Sequence, residues 1–100
     1  MQSEIADNGK KWYVLRTRPR FETVVERQIN LKGIETLLPQ VEKIRIWSDR
    51  KKKISMPLFP GYVFIHADEE ERFRAISNTA GAIKYVYFEG RPAVIKDREI

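Results

Sequence analysis

Residues 57–65 read PLFPGYVFI, and this stretch decides the fold that the sequence predicts. Its prolines and Gly61 predict a sharp bend, because proline fixes its own φ and glycine tolerates left-handed turns. Residues 61–67 then alternate in character with the two-residue period of a β-strand. One face of this strand carries Tyr62, Phe64 and His66, and the other carries Val63 and Ile65.

N-terminal to this strand, the sequence predicts another strand and then a helix. Residues 12–15, WYVL, are typical of a strand that is buried on both faces or nearly so. Pro19 stands where a helix can begin, and Gly33 stands where it can end. A stripe at helical spacing predicts the inward face of this helix. It consists of Phe21, Val24, Val25, Gln28 and Ile29, with the stem of Lys32 along the edge of the core.

A second strand and a hairpin are predicted between this helix and residue 57. Residues 34–38 form the strand. Residues 41–47 alternate loosely, residues 48–51 supply turn chemistry, and residues 53–58 return as the partner of the first arm. The hairpin tip is strongly basic, so we expect it to project into solvent.

The C-terminal third predicts a capped helix followed by short strands. Asp68 and Glu71 have the spacing of a capping box, with Phe73 and Ile76 turned inward and an end before Gly81. Three elements follow this helix. They are a strand over residues 83–88, a tight turn at residues 89–90 and an edge strand over residues 92–95. Residues 97–100 resemble the first turn of an element that continues.

These elements predict an α+β fold with a central, mostly antiparallel sheet. We expect four to five strands plus the basic β-hairpin, flanked by two or three helices. Residues 1–10 predict a disordered lead-in, and residues 11–100 a single domain with one core. If the helices cover the Val63 face, Tyr62 and Phe64 form an exposed apolar patch, which usually marks a partner site. The sequence leaves open the alternative that both aromatics are core residues.

The composition argues against an enzyme, a metal site and a membrane protein. The 100 residues include no cysteine and one histidine, and no apolar run is long enough to span a bilayer. The five glycines are scattered and form no phosphate-binding loop, and the acids at positions 68–71 begin a helix, where they complement its dipole. We therefore expect a cytoplasmic, non-catalytic protein without a cofactor.

The positive charge of the chain is concentrated in two segments. The net charge is +5, and a basic surface suits a polyanionic partner such as nucleic acid. One segment precedes the central strand and the other brackets the first strand. The first contains Lys43, Arg45, Arg50, Lys51, Lys52 and Lys53, and the second contains Lys10, Lys11, Arg16, Arg18 and Arg20. A solvated basic face is the simpler interpretation for any single arginine.

Six segments at consistent spacing resemble the NusG N-terminal (NGN) domain family. They are KWYVL (11–15), GIE (33–35), Pro39, PLFPGYVFI (57–65), NTAG (78–81) and GRPAVI (90–95). The resemblance covers residues 12–95. The PLFPGYVF motif favours the specialised antiterminators of the RfaH and UpxY type within this family. It implies an RNP-like α+β sandwich and a role in transcription elongation and antitermination.

The resemblance also implies partners and contact residues. The clamp helices of the largest RNA polymerase subunit would contact Phe59, Tyr62, Phe64, Arg16 and Tyr85. The gate loop of the second-largest subunit would contact Arg72, Phe73, Arg74 and Ala75, although the helical pattern also predicts Phe73 in the core. Non-template DNA would contact Arg18, Arg20 and Thr79, and upstream DNA would contact Arg50, Lys51, Lys52 and Lys53. A C-terminal KOW domain, which recruits the ribosome or a termination factor, is expected and is not among these 100 residues.

An RNA-recognition module is the main rival interpretation. Residues 61–65 partly match its central strand, and residues 12–14 would supply a second aromatic strand on which bases stack. Three positions argue against it. Val63 replaces a small residue, a proline replaces the leading basic residue, and Ala67 replaces the closing aromatic.

Overall fold

The computed structural model describes residues 9–47 and 50–96, without the side chain of Trp47. Predictions for residues 1–8, 48–49 and 97–100 lie outside the described residues. The described elements, in chain order, are β1 (Lys11–Thr17), α1 (Glu22–Leu31), β2 (Glu35–Leu37), β3 (Gln40–Trp47), β4 (Arg50–Pro57), β5 (Tyr62–Ala67), α2 (Glu69–Ile76), β6 (Ala82–Tyr85), β7 (Tyr87–Phe88), β8 (Arg91–Pro92) and β9 (Val94–Ile95). Neither described helix is long and apolar enough to cross a membrane.

The central sheet has the strand order β2-β5-β1-β6, and β9 also pairs with β1. All of its pairings are antiparallel, and β1 pairs with β5 from Lys11 opposite Ala67 to Arg16 opposite Tyr62. Antiparallel sheets often cover one face and leave the other open. The α+β class and the antiparallel sheet are therefore as predicted.

The hydrophobic core lies on one face of this sheet, under both helices. Leu15, Val63 and Ile65 are fully buried there, together with Val25 of α1 and Ala75 of α2. Burying an aliphatic side chain of this size contributes about 1.5–3 kcal/mol relative to its exposed state. This face of the sheet stabilises the fold.

Helix α1 begins three residues later than Pro19, where the sequence predicted its start. Arg20 has φ 68°, a left-handed conformation that cannot be part of an α-helix. Glu22, Val25 and Ile29 form the inward stripe, and Val24 is exposed, so the prediction for Val24 is wrong. The helix ends as predicted, with Gly33 at φ +82°.

Helix α2 has the predicted N-cap and a different inward face. Asp68 Oδ1 accepts a hydrogen bond from the Glu71 N–H (2.8 Å), and Glu71 Oε1 accepts one from the Asp68 N–H (3.0 Å). Arg72 and Ala75 are the buried residues, whereas Phe73 is 60% exposed. The prediction of Phe73 in the core is wrong, because it lies one helical step of about 100° away from the buried Arg72.

The side chains of Gln28 in α1 and of Lys32 at its C-cap hold the loop that follows α2. The Lys32 ammonium donates to the carbonyl oxygens of Arg74 (2.9 Å) and Ser77 (2.6 Å) and to Thr79 Oγ1 (2.7 Å). Burial and the nearby Arg74 guanidinium lower the pKa of Lys32. The Gln28 amide bonds both the N–H and the carbonyl of Ala80. Loop 77–80 is therefore fixed between the helices.

The two C-terminal strands predicted over residues 83–88 and 92–95 are each divided. Val86 separates β6 from β7, and its N–H donates to the Val14 carbonyl at 2.8 Å. Ala93 separates β8 from β9 and donates to the Val86 carbonyl. Glu89 and Gly90 both have positive φ, as two-residue hairpin turns require, so that turn is as predicted.

Strands β3 and β4 form a separate two-stranded ribbon. Eight residue pairs join them, from Gln40 opposite Pro57 to Trp47 opposite Arg50. The predicted turn at residues 48–51 is too long, because Arg50 and Lys51 already belong to β4. The basic residues consequently line the outer half of the ribbon.

Candidate functional site

The sheet face opposite the helices carries three rows of side chains. Residues that pair across antiparallel strands project to the same face, so the register defines each row. The rows are Arg16, Tyr62 and Lys84; Val14, Phe64 and Leu37; and Trp12, His66 and Glu35. We call this surface the open face.

An apolar hollow of about 270 Å³ occupies the middle of the open face. Its lining consists of Val14, Phe59, Tyr62, Phe64 and Val86. The Phe59 and Phe64 rings meet edge to face, with centroids 5.7 Å apart. Phe59 is 47% and Tyr62 37% exposed, so the rings are accessible to a partner.

The bend at residues 57–61 places Phe59 beside the strand that carries the other two rings. Gly61 has φ +86°, its N–H donates to Glu22 Oε2 at 2.6 Å, and its carbonyl accepts from the Thr17 N–H at 2.8 Å. A hydrogen bond to a carboxylate is stronger than one between neutral groups. The buried carboxylate of Glu22 therefore anchors the bend. The sequence analysis missed this role.

One end of the open face is closed by stacked rings. Trp12 lies almost parallel to His66, with ring centroids 4.7 Å apart, and is buried. His66 Nδ1 lies 2.9 Å from Glu35 Oε1 on the neighbouring strand. The single histidine is therefore held between the Trp12 ring and the Glu35 carboxylate.

The opposite end of the open face is cationic. Arg16 and Lys84 are exposed and pair across β1 and β6, next to Tyr62. An apolar hollow beside two cations suits a partner that combines apolar side chains with a carboxylate. Lys84 was missed in the sequence analysis, as were Val14 and Val86 of the hollow.

Tyr85 lies on the other face of the sheet, so its prediction as a contact residue is wrong. It pairs with the core residue Leu15, is buried, and donates its hydroxyl proton to the Arg72 carbonyl at 2.7 Å. Burial raises the pKa of Tyr85, and the Arg72 guanidinium opposes part of that rise. Tyr85 is a core residue with a satisfied hydroxyl.

Helix α2 exposes only two of the four residues predicted to contact the gate loop. Ala75 is fully buried, and the Arg72 guanidinium lies against the rings of Tyr13, Phe73 and Tyr85 at 5.3, 4.7 and 5.5 Å. Burial lowers the pKa of Arg72, but the Glu69 carboxylate, 2.6 Å away, together with Tyr13 and Tyr87 outweighs this, and the pKa is raised. Arg72 and Ala75 are thus structural, and Phe73 and Arg74 remain accessible.

The predicted nucleic-acid contacts fall into accessible and inaccessible groups. Arg18 and Arg20 are exposed on the turn between β1 and α1. Arg50, Lys51, Lys52 and Lys53 are exposed along β4. Thr79 is buried, and its hydroxyl donates to the Ala75 carbonyl at 2.6 Å and accepts from Lys32, so its prediction as a contact is wrong. No three His, Cys, Asp or Glu side chains within residues 9–47 and 50–96 are placed to hold a metal ion.

Comparison with known proteins assigns this chain to a family. A protein-family model described as "Transcription termination factor nusG" matches residues 10–100. The chain belongs to the NusG family. The resemblance predicted from residues 12–95 is therefore confirmed, and with it the class of domain found in transcription termination and antitermination factors.

Individual relatives agree with this assignment. The transcription termination/antitermination protein NusG of Staphylococcus carnosus (strain TM300) is 25% identical over an 89-residue alignment, which covers 78% of this chain and 48% of that protein. Its counterpart in Bacillus subtilis (strain 168) is 26% identical over an 87-residue alignment, which covers 77% of this chain and 49% of that protein. The chain spans about half the length of these relatives.

A solved structure described as "Domain interaction in Thermotoga maritima NusG" shares the fold. Its TM-score is 0.53 at 31% sequence identity, covering 90% of this chain and 52% of the other. The similarity thus extends over almost all of the present chain and half of the larger protein.

Proposed function

We propose that this domain binds a transcribing RNA polymerase through the open face and acts as an elongation and antitermination factor. The observation that carries the proposal is the apolar hollow of about 270 Å³, which neither described helix covers. An exposed apolar surface of this kind is characteristic of partner sites. Membership of the NusG family supports a partner within the transcription machinery.

The clamp helices of the polymerase's largest subunit are the proposed occupant of the hollow. The tip of a helical hairpin presents a few apolar side chains on a convex surface, which matches a concave site lined by Phe59, Tyr62 and Phe64. Aromatic side chains in desolvated pockets supply most of the energy of such interfaces. Arg16 and Lys84, at the cationic end, are placed to pair with an acidic residue of the clamp.

Bridging the cleft of the polymerase is the proposed mechanism. Phe73 and Arg74 lie on the helix side of the domain, away from the open face, and are the residues of α2 available to the gate loop. A domain that contacts both subunits gains more contacts when the clamp is closed. It therefore shifts the population away from the open, paused polymerase, by the difference in contact energy between the two states.

Contacts with nucleic acid complete the proposal. Arg18 and Arg20 would meet the non-template strand of the transcription bubble, and the basic ribbon would meet upstream DNA. Contacts to phosphates release counterions, so they are sensitive to salt and independent of sequence.

None of these roles requires a reacting group, so the domain acts by binding alone. Within the family, the proposal places it among specialised, cytoplasmic antiterminators. Any ribosome or termination-factor contact would belong to a C-terminal KOW domain.

A polymerase fragment tests the proposal directly. We expect Tyr62→Ala combined with Phe64→Ala to weaken binding of a clamp-helix fragment by about 1,000-fold, since each of the two aromatic anchors contributes about 2 kcal/mol or more. Pull-down and titration calorimetry measure the loss, and circular dichroism checks that the variant is folded. Phe73→Ala, which removes an exposed ring from the other side of the domain, is the matched control. Undiminished binding by the folded double variant rules out the open face as the clamp site.

The RNA-recognition rival is disfavoured by the position of its second aromatic strand. Trp12 is stacked under His66, and Tyr13 points into the core, so neither ring is free to stack on a base. Titration of the domain with single-stranded RNA separates the two functions. Tight RNA binding without polymerase would favour the rival.

A further inference from the structure

The β3–β4 ribbon has two faces, and one of them exposes a pair of isoleucines. Ile44 and Ile46 project from the same face because they are two residues apart in β3. They are 63% and 70% exposed. Lys53 and Lys51 pair with them directly across the ribbon and therefore project beside them. We call this surface, defined by Ile44, Ile46, Lys51 and Lys53, the isoleucine face.

The exposure of two isoleucines side by side does not favour solubility, so it needs another explanation. The two isoleucines are adjacent on one face, about 7 Å apart along the strand, and most of each side chain is in water. The opposite face carries the cations Lys43, Arg45, Arg50 and Lys52, and its aliphatic residues Val41 and Ile54 are half-buried. Two neighbouring isoleucines with little cover indicate a surface that another molecule contacts.

The charge of the ribbon limits what that molecule is. Its two strands carry six cationic side chains and one carboxylate, that of Glu42. Lys51 and Lys53 both lie on β4, along one side of the isoleucines, so a partner must offer anionic groups beside an apolar strip. Duplex DNA offers this arrangement in its major groove, where thymine methyl groups lie between two rows of phosphates.

We propose that the isoleucine face lies in the major groove of duplex DNA. Ile44 and Ile46 contact thymine methyl groups, and Lys51 and Lys53 reach the phosphates beside the groove. This inference rests on the proposed function and deepens its upstream-DNA contact by naming the face and the groove.

The dimensions of the ribbon fit this groove. Two paired strands lie about 4.8 Å apart, and the major groove, about 12 Å wide, admits a two-stranded β-ribbon. The ribbon pairs over eight positions and its outer residues are exposed, so its outer half projects from the body. The isoleucine face also lacks aromatic side chains, on which single-stranded nucleic acid would stack. Duplex DNA is therefore the better match.

A duplex in which every thymine is replaced by uracil isolates the methyl contacts. Fluorescence anisotropy would measure binding of the complete chain to an A·T-rich duplex of about 20 base pairs, the length of two helical turns, and to its uracil counterpart. We expect uracil to weaken binding at least about threefold, because each buried methyl group that is lost lowers affinity by about that factor. Ile44→Ser with Ile46→Ser should lower affinity for the thymine duplex about tenfold and abolish the preference.

Charge variants on the two faces provide the matched comparison. Lys51→Gln with Lys53→Gln removes two charges from the isoleucine face, and Lys43→Gln with Arg45→Gln removes two from the other face. Each phosphate contact contributes about 0.9 to the slope of log affinity against log salt. We expect the first pair to lower the magnitude of that slope by about 1.8 and the second pair to change it much less.

Three outcomes would overturn the inference. Equal affinity for thymine and uracil duplexes would exclude methyl contacts. Equal slopes of log affinity against log salt for the two charge variants would exclude a preferred face. Binding of an acidic protein in place of DNA would give the face another partner. Clamp-helix pull-down with the same variants separates this failure from that of the proposed function. The isoleucine face belongs to the separate β3–β4 ribbon, whereas no described residue of that ribbon lines the hollow. Clamp binding should therefore stay unchanged in every ribbon variant.

Discussion

The two faces of strand β5 are built from alternate residues, and one face is buried while the other is exposed. Val63 and Ile65 are fully buried under the helices, whereas Tyr62 and Phe64 line a hollow that stays open. The strand alternation separates the two sets, and the inward stripes of α1 and α2 decide which set is sealed. One strand thereby supplies both the stability of the domain and its proposed binding surface.

The largest expected effect on stability comes from the face of β5 that carries Val63 and Ile65 under the helices, which we call the sealed face. Ile65→Ala should lower the free energy of unfolding by about 2–5 kcal/mol, because it removes buried atoms and leaves a cavity between the sheet and the helices. Urea unfolding followed by circular dichroism measures the change. A loss below about 1 kcal/mol would mean that this face is not the main source of stability.

A smaller effect is expected at Tyr85, at the edge of the sealed face. Tyr85→Phe should cost about 1–1.5 kcal/mol, since the Arg72 carbonyl loses its hydrogen bond. Burial raises the pKa of Tyr85 in the folded state. The stabilisation from its neutral hydroxyl is therefore complete below the unfolded-state pKa of about 10 and is lost as pH rises beyond that value.

Alkaline unfolding tests the sign of this dependence. We expect the stability of the unmodified protein to fall more steeply above pH 10 than that of the Tyr85→Phe variant. Parallel curves for the two proteins would show that Tyr85 titrates normally and lies in a wetter environment than the sealed face provides.

The smallest effect on stability is expected on the open face. Phe59→Ala should cost less than about 1 kcal/mol, because the ring is 47% exposed and packs mainly against the edge of Phe64. The same variant should bind the clamp-helix fragment at least about 30-fold more weakly, the cost of one anchor. A large loss of stability with little loss of binding would reverse the roles assigned to the two faces.

Much of the fold was predictable because its signals are local. The alternation in residues 61–67, the Asp68 capping box, the end of α1 at Gly33 and the hairpin turn at Glu89 each depend on neighbours in sequence. The inward face of α2 was not predictable, because an arginine in a helical pattern is normally assigned to the surface. Arg72 is tolerated there because three aromatic rings and Glu69 surround its guanidinium.

The candidate site was predictable where alternation alone decides a face. Tyr62 and Phe64 share one face of β5, as the alternation predicted, and Phe59 joins them in the hollow on the face left uncovered by the helices. Tyr85 fails because the face of a strand depends on its register with its partner. Leu15 opposite Tyr85 directs that ring to the core and leaves Val86 to line the hollow. No local pattern specifies such a register, and none links Lys32 to a loop more than forty residues away.

The ribbon of β3 and β4 also leaves a row of backbone hydrogen-bonding groups on each outer edge, since no third strand joins it among the described residues. Such edges act as templates on which a second chain can add a strand. The lysines and arginines along both arms oppose this by mutual repulsion between copies. The same charges that would hold DNA therefore keep the free molecules apart, and a bound duplex would screen that repulsion.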